Sequence, residues 1–286
     1  MAQIIDGKSL AMALRDEVAA SVLEIQARGG RVRFAAVLVG DNPASQIYVR
    51  NKQRACEKAG IDFVLYTLPA TCQYKELTDL IQRLSADSQI HGVLLQLPVP
   101  PEVIGNRLSE VLNLIDPRKD VDGLTNTNLG LLAGGNNGLV ACTAQGVLHA
   151  IQSVCPDLTG KKVVMIGRSQ IVGRPTALLL TNQNATVTVC HRLTQNLGEH
   201  TRTADIIVVA AGSPQLLTAE MVKPGAVIID VGINRLPDGR LVGDVDFENV
   251  APQAAAITPV PGGIGPLTIA FLLKNIVAAY RLQNGL

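Results

Sequence analysis

"VVMIGRSQIVGRPTALLL", residues 163–180, runs as an apolar strand, a glycine turn and a helix. The first strand of a dinucleotide-binding fold needs such a turn, because backbone N–H groups at the helix start can then meet a pyrophosphate. The spacing is Gly167-x-Ser169-x-x-x-Gly173 rather than G-x-G-x-x-G, so an ordinary βα turn stays open on this motif alone. The downstream segments narrow the choice. "ATVTVC" (185–190), "ADIIVVAAG" (204–212) and "AVIIDVG" (226–232) have the apolar density of further strands, joined by helical stretches, which is the rhythm of a Rossmann-like domain.

The second strand of that series selects the nucleotide. An NAD-preferring fold places an acid at its end to bind the ribose hydroxyls, whereas here it closes on Cys190-His191-Arg192. No carboxylate stands there to repel a 2′-phosphate, and Arg192, with Arg168 in the turn, could neutralise one, so NADP is the expected cofactor. Two solvated surface arginines are the plain alternative.

Upstream, "RFAAVLVG" (33–40), "IDFVLYTLP" (61–69) and "IHGVLLQLPVP" (90–100) read as buried strands, separated by helices near 43–59 and 73–86. Strands this apolar are covered on both faces, so a parallel βαβ sheet flanked by helices is expected. The pattern loosens into Gly, Asn, Asp and Thr between 113 and 146, and the final "PLTIAFLLKNIVAAYRL" (266–282) has the density of a long buried helix. The fold class is therefore α/β with two domains. The first is residues 1–145, with a C-terminal helix (266–286) packing back on it; the second is a Rossmann-like NADP-binding domain, 146–265.

The 286 residues exceed a comfortable single core, which agrees with two domains. Lys and Arg total 25 against 24 Asp and Glu, a net charge of +1, and no long basic run occurs, so neither nucleic acid nor an anionic membrane is an expected partner. Five cysteines without a C-x-x-C pair argue against a disulfide framework and a zinc ribbon, and suit a reducing compartment. The first twenty residues carry early charges and no continuous apolar stretch, and no segment approaches 18 apolar residues. A soluble, cytoplasmic protein is expected.

Four stretches carry candidate chemistry. In "GDNPASQIYVRNKQRACEKAG" (40–60) Asn42 can cap a helix with Pro43 in its first turn, and offsets of three and four bring Ser45, Tyr48 and Lys52 onto one face. Ala44, Ile47, Ala55 and Ala59 would hold the neighbouring stripe to a core, leaving the polar stripe at its margin; a solvated face with a snorkelling lysine is the bland reading. "LLQLPVPP" (94–101) sets Gln96 at the C-terminal end of a strand, where ligands gather in α/β sheets, and an amide in an apolar run needs a partner or a task. "KDVDGLT" (119–125) pairs Asp120 with Asp122 in a Gly-flanked loop that could be a capped turn or a divalent-cation site. "TPVPGGIGPLT" (258–268) has bare, fixed backbone at Pro261 and Gly262 for close approach by a flat ligand, or serves as a crossover. The four histidines, His91, His149, His191 and His200, share no ligand spacing, so no metal is expected.

Taken in order, "IIDGK" (4–8), "NPASQIYVRNK" (42–52), "GVLLQLPVP" (92–100), "KDVDGLT" (119–125), "GRSQIVGRP" (167–175), "NATVTVCH" (184–191), "GAVIIDVGIN" (225–234), "VGDVDF" (242–247) and "ITPVPGGIGPLT" (257–268) make the chain resemble the bifunctional methylenetetrahydrofolate dehydrogenase/cyclohydrolase family of one-carbon metabolism. The resemblance spans nearly the whole chain. It implies oxidation of 5,10-methylenetetrahydrofolate to the 5,10-methenyl form with NADP, hydrolysis of that product to 10-formyltetrahydrofolate, a supply to purine biosynthesis, and a homodimer. It implies a folate site in the cleft between the domains. Lys52 would be the catalytic lysine, Tyr48 would stand beside the folate and Gln96 would position the lysine. Asp122 would hold the pterin, while Ser45, Pro261 and Gly262 would line the substrate. It likewise implies cofactor phosphates at Gly167, Arg168 and Ser169, with Ile233 at the edge of the nicotinamide pocket. The chain departs from the family's pattern at "ACTAQG" (141–146), where a "PCTPKG" stretch is usual, and at Asn128-Leu129-Gly130-Leu131-Leu132, where N-x-G-R-L is usual. A non-catalytic folate- or nucleotide-binding relative and a shikimate-dehydrogenase-like enzyme are the competing readings.

Overall fold

The computed structural model describes residues 2–136 and 138–286. The chain forms β1 (Gln3–Ile4), α1 (Gly7–Ala27), β2 (Arg33–Val39), α2 (Pro43–Lys58), β3 (Asp62–Leu68), α3 (Tyr74–Ala86), β4 (Gly92–Leu95), α4 (Pro101–Ile104), α5 (Leu108–Leu112), α6 (Asn126–Ala133) and α7 (Cys142–Gln152). It continues through β5 (Lys162–Ile166), α8 (Gly173–Asn182), β6 (Thr186–Cys190), α9 (Leu197–Thr201), β7 (Ile206–Val209), β8 (Val227–Asp230), β9 (Asn234–Arg235), β10 (Leu241–Val242), α10 (Phe247–Val250), β11 (Ala256–Ile257) and α11 (Ile264–Asn284). It divides into two compact units: Ala13–Val140 with Ile269–Leu286, and the residues through Met12 with Ala141–Thr268.

That division differs from the expected 1–145 with 266–286, and 146–265, in three places, the smallest being residues 266–268 at the start of α11, which fall in the second unit. The first residues leave the unit built around β2 because β1 adds to the larger sheet, Gln3 pairing with Ala256 and Ile4 with Ile257. The crossing falls at Ala141, immediately before α7, so "ACTAQG" starts a helix rather than ending a loop.

In the unit of Ala13–Val140, β3, β2 and β4 form a parallel sheet in that order, and Val93 also bridges Asp120. Central β2 is apolar and buried from Phe34 to Val39, as a strand covered on both faces must be. The expectation of a buried 61–69 is corrected, since β3 is an edge strand and leaves Leu65 40% exposed. The strand expected over 90–100 stops at Leu95, because Pro98, Pro100 and Pro101 have no N–H to extend a ladder. α11 is tied down at several points. Asn275 Nδ2 donates to the carbonyls of Val121 (2.8 Å) and Val140 (2.9 Å), and Gln283 Nε2 donates to that of His91 (2.8 Å).

The second unit holds a six-stranded parallel sheet in the order β1-β11-β8-β7-β5-β6. After β1 the chain returns to this sheet at β5, moves outward to the edge at β6 and then reverses to β7 and β8, which puts a topological switch point beside β5. Val164, Ile166, Ile207, Val209, Ile228, Leu217 and Val245 form part of its core. Each such buried side chain contributes roughly 1.5–3 kcal/mol relative to exposure.

Candidate active site and cofactor cradle

α2 begins as its sequence requires, with Pro43 at its start and Asn42 Oδ1 accepting from the N–H groups of Ala44 (3.0 Å) and Ser45 (3.2 Å). Its inward face differs from the expected one. Ala44 and Ile47 are exposed; Ala55 and Ala59 are buried as expected, together with Ser45, Val49 and Cys56. Lys52 completes that spacing of four and three, half-buried in the same stripe. Ser45 is only 2% exposed while Tyr48, one residue off the stripe, is 45% exposed. Of the stripe that sequence sets at a margin, Ser45 is turned inward, Lys52 is half-buried and Tyr48 stays at the surface, so Lys52 is the only charge on the inward face. Burial pushes the neighbouring Cys56 thiol up to about 12, so Cys56 is an apolar wall and not a nucleophile.

Lys52 meets Gln96. Its Nζ donates to Gln96 Oε1 at 3.0 Å, and Gln96, 7% exposed, donates Nε2 to the Leu97 carbonyl at 2.7 Å. Gln96 N–H also donates to the Val37 carbonyl (2.8 Å), which fixes the residue at the C-terminal end of β4 beside central β2. The amide is fully employed: one end is locked to backbone and the other aims the amine.

Asp120 and Asp122 separate in role. Asp120, 2% exposed, accepts from the N–H groups of Leu124 (3.1 Å) and Thr125 (2.8 Å) and from Asn128 Nδ2 (2.9 Å). Its oxygens close the loop as a capped turn. Asp122 is half-buried on that loop, directly after the Asp120 anchor and Val121, whose carbonyl is held by Asn275. No cluster of three or more metal-ligating side chains occurs among the described residues.

In the second unit, Gly167 has φ +120°, and a Cβ there would lie 2.2 Å from the Ala210 carbonyl oxygen; a Cβ on Gly173 would lie 2.2 Å from the Gly167 oxygen. Only glycine lets the turn pass over the strand ends and under the start of α8, which is the bare backbone that a pyrophosphate requires. Ser169 Oγ accepts from Val172 and Gly173 N–H at 3.2 and 3.3 Å, so its hydroxyl shapes the turn from within. Ile166 pairs with Cys190 across β5 and β6, so Arg168 and Arg192 lie at equal offsets beyond paired residues of adjacent strands, both exposed. These residues fit a dinucleotide with an added phosphate. Ile233, 48% exposed, follows β8. Pro261 is exposed and Gly262, at φ +112°, adjoins Gly263, whose oxygen would lie within bonding distance of any Cβ on Gly7.

Residues 5–122 match the family model of the tetrahydrofolate dehydrogenase/cyclohydrolase catalytic domain, and residues 141–284 match that of the tetrahydrofolate dehydrogenase/cyclohydrolase NAD(P)-binding domain. The chain belongs to the tetrahydrofolate dehydrogenase/cyclohydrolase family. A bifunctional protein FolD of an Exiguobacterium species is 49% identical over 277 residues, covering 97% of this chain and 98% of that protein. The structure of the bifunctional FolD methylenetetrahydrofolate dehydrogenase/cyclohydrolase from Campylobacter jejuni superposes with a TM-score of 0.95 at 45% identity, covering 99% of this chain and all of the other. That of the Trypanosoma brucei methylenetetrahydrofolate dehydrogenase-cyclohydrolase, complexed with NADP and an inhibitor, gives 0.92 at 37% identity, with 98% of each chain covered.

This member of the family holds its site with buried polar groups, of which Asp120 is singled out from sequence while Asn275, Asp230 and Asp244 are not. Asp120, Asn128 and Asn275 anchor the loop of Asp122. In the cofactor unit, Asp230 (3% exposed) and Asp244 (0%) anchor the loops after β7 and β8. Burial pushes the Asp230 carboxyl up to about 6, with the nearby Asp244 adding to the rise against three backbone N–H bonds that lower it. An acid closing the apolar run "VIID" is the available sign in the sequence, since a carboxylate there needs partners.

Proposed function

We propose that this chain oxidises 5,10-methylenetetrahydrofolate to 5,10-methenyltetrahydrofolate with NADP and hydrolyses the product to 10-formyltetrahydrofolate. The observation that carries the reading is the Lys52–Gln96 hydrogen bond at the C-terminal end of β4, in a chain of this family. Lys52 is the catalytic lysine, aimed by Gln96. Tyr48 stands beside the folate, Asp122 accepts from the N–H groups of the pterin, and Ser45, Pro261 and Gly262 line the substrate. In the oxidation, the folate's own nitrogen lone pairs assist loss of hydride, so the protein supplies orientation and no strong acid is needed. In the hydrolysis, a water oxygen bonds to the methenyl carbon as Lys52 takes a proton from that water; the bond from this carbon to N5 then breaks as N5 takes up a proton, which leaves the formyl group on N10.

When bound, NADP supplies the hydride-accepting nicotinamide. Its phosphates would lie along the Gly167–Ser169 turn at the switch point of the sheet, its 2′-phosphate between Arg168 and Arg192, and its nicotinamide edge at Ile233. No metal takes part in this reading. The Trypanosoma relative, whose structure contains NADP, supports the choice of nucleotide.

The protein acts in the cytoplasm, a reading supported by five free cysteines. A homodimer is supported by the exposed edge strand β6, with Val189 42% exposed. The formyl product serves purine biosynthesis. The test is one assay: methylenetetrahydrofolate is supplied with NADP or NAD while methenyl absorbance and its decay are followed. Formation of the methenyl species favouring NADP, followed by decay faster than in buffer, supports the reading. Absence of both steps refutes it.

A further inference from the structure

The Asp230–Asp244 pair is buried in the cofactor unit and surrounded by backbone N–H groups. Asp244 Oδ2 accepts from the N–H groups of Ala211 (2.6 Å) and Gly212 (2.9 Å), and Oδ1 accepts from Ser213 N–H (2.9 Å) and Asn234 Nδ2 (2.8 Å). One carboxylate therefore closes a nest of three successive N–H groups after β7 and reaches across to the chain after β8. Asp230 stands beneath it, Oδ1 accepting from Gly232 (2.9 Å) and Asp244 N–H (3.0 Å) and Oδ2 from Val245 N–H (2.9 Å). There is no room for change around them. A Cβ on Gly232 would lie 2.3 Å from Asp244 Cγ, and one on Gly243 would collide with Asp230 Oδ2.

The loop held in this way reaches the phosphate turn directly, because the carbonyl of Ala210, next to the nest, is the atom that forbids a side chain on Gly167. The other arm ends at Asn234, the neighbour of Ile233. We propose that Asp244, braced by Asp230, is a positioning residue for the dinucleotide: it sets the loop after β7 against the Gly167 turn and fixes the loop carrying Ile233. The inference rests on the reading of the second unit as the NADP domain. It adds two buried carboxylates that hold the binding loops from behind. Neither carboxylate is placed against the cofactor; their hydrogen bonds are with the protein.

The substitution Asp244→Asn tests this, because it keeps the shape of the side chain and turns two acceptor oxygens into one acceptor and one donor facing N–H groups. NADP affinity is measured by calorimetry without folate, together with NADP KM and kcat for the dehydrogenase and, separately, hydrolysis of methenyltetrahydrofolate, which needs no cofactor. Kd and KM for NADP should rise about tenfold or more, the scale of a lost charge-assisted bond, with cyclohydrolase turnover within about twofold of wild type. Asn234→Ala, which removes one of the four bonds at a half-buried position, should shift NADP Kd in the same direction by less, and it decides the matter if Asp244→Asn does not fold. Wild-type NADP affinity in a folded variant, or a loss of cyclohydrolase in proportion to the dehydrogenase, would overturn the proposal. A wild-type protein that binds NADP yet performs neither reaction would remove the functional reading while leaving the NADP affinities to judge the positioning role.

Discussion

Replacing Gly167 by alanine puts the geometry of the cofactor turn to a quantitative test. Two costs add. At φ +120° an L side chain costs about 1–3 kcal/mol in backbone conformation alone. The new methyl would also start 2.2 Å from the Ala210 carbonyl oxygen, and overpacking that forces backbone apart costs about 1–3 kcal/mol more. The sum is roughly 2–6 kcal/mol, taken from stability, from NADP binding, or shared between them; if binding bears even 2 kcal/mol, Kd rises about thirtyfold. Gly160 provides the control, since its φ is +71° and a Cβ there meets nothing within 4 Å. Gly160→Ala should lower stability by about 1–2 kcal/mol and leave NADP affinity alone. Calorimetric titration with NADP and thermal unfolding of the two variants separate the clash from the backbone cost. A Gly167→Ala protein with wild-type Tm and wild-type Kd would show that the turn tolerates a side chain and that neither cost exists.

Arg168→Ala and Arg192→Ala should each raise KM for NADP about tenfold or more and that for NAD far less, because a charge-assisted bond to the 2′-phosphate is all that is lost; equal effects on both nucleotides would sink the assignment. His91, whose Nδ1 accepts from Arg33 N–H (3.1 Å) and whose ring lies 4.7 Å from that of Tyr280, is held below its ordinary pKa by burial, then by the cations of Lys119 and Arg33. Its folded pKa is depressed, so the neutral ring's stabilisation is present above about pH 6.5 and is lost as pH falls from there through the folded value. Thermal unfolding between pH 8 and 5 should therefore show a steeper acid loss in wild type than in His91→Phe, and parallel curves would contradict it.

Most of the sheet architecture is legible in the sequence because buried parallel strands are continuous apolar runs, and β2, β5, β7 and β8 are such runs. β1 and β11 are not, being two residues each and defined by pairing with each other across most of the chain. For the same reason the compact unit that the first residues join is not legible in sequence: nothing local to "QI" says which sheet it joins. In the site, Lys52, Gln96 and the Gly167 turn can be read because each stands out locally, as the charged member of a Ser/Tyr/Lys stripe, an amide in an apolar run or a glycine where the chain must bend back. The orientation of α2 is misleading in sequence because Ala44 and Ile47 look like core by composition, while Ser45 and Cys56, small enough to pack closely, are the residues turned inward. Asp230 and Asp244 draw their meaning from backbone N–H groups up to 33 residues away, a relation that no periodicity encodes.

If Lys52, aimed by Gln96, moves the proton in the hydrolytic step, then removing its amine alone must stop that step. Lys52→Met does so, because a stem of similar length keeps the packing of α2 and deletes only the amine. Hydrolysis of methenyltetrahydrofolate by the variant is followed beside its binding of folate and NADP. Binding should be retained, hydrolysis should fall to the rate in buffer, and methenyltetrahydrofolate should accumulate from whatever dehydrogenase activity persists. A Lys52→Met protein that hydrolyses methenyltetrahydrofolate at the wild-type rate would contradict the role given to Lys52.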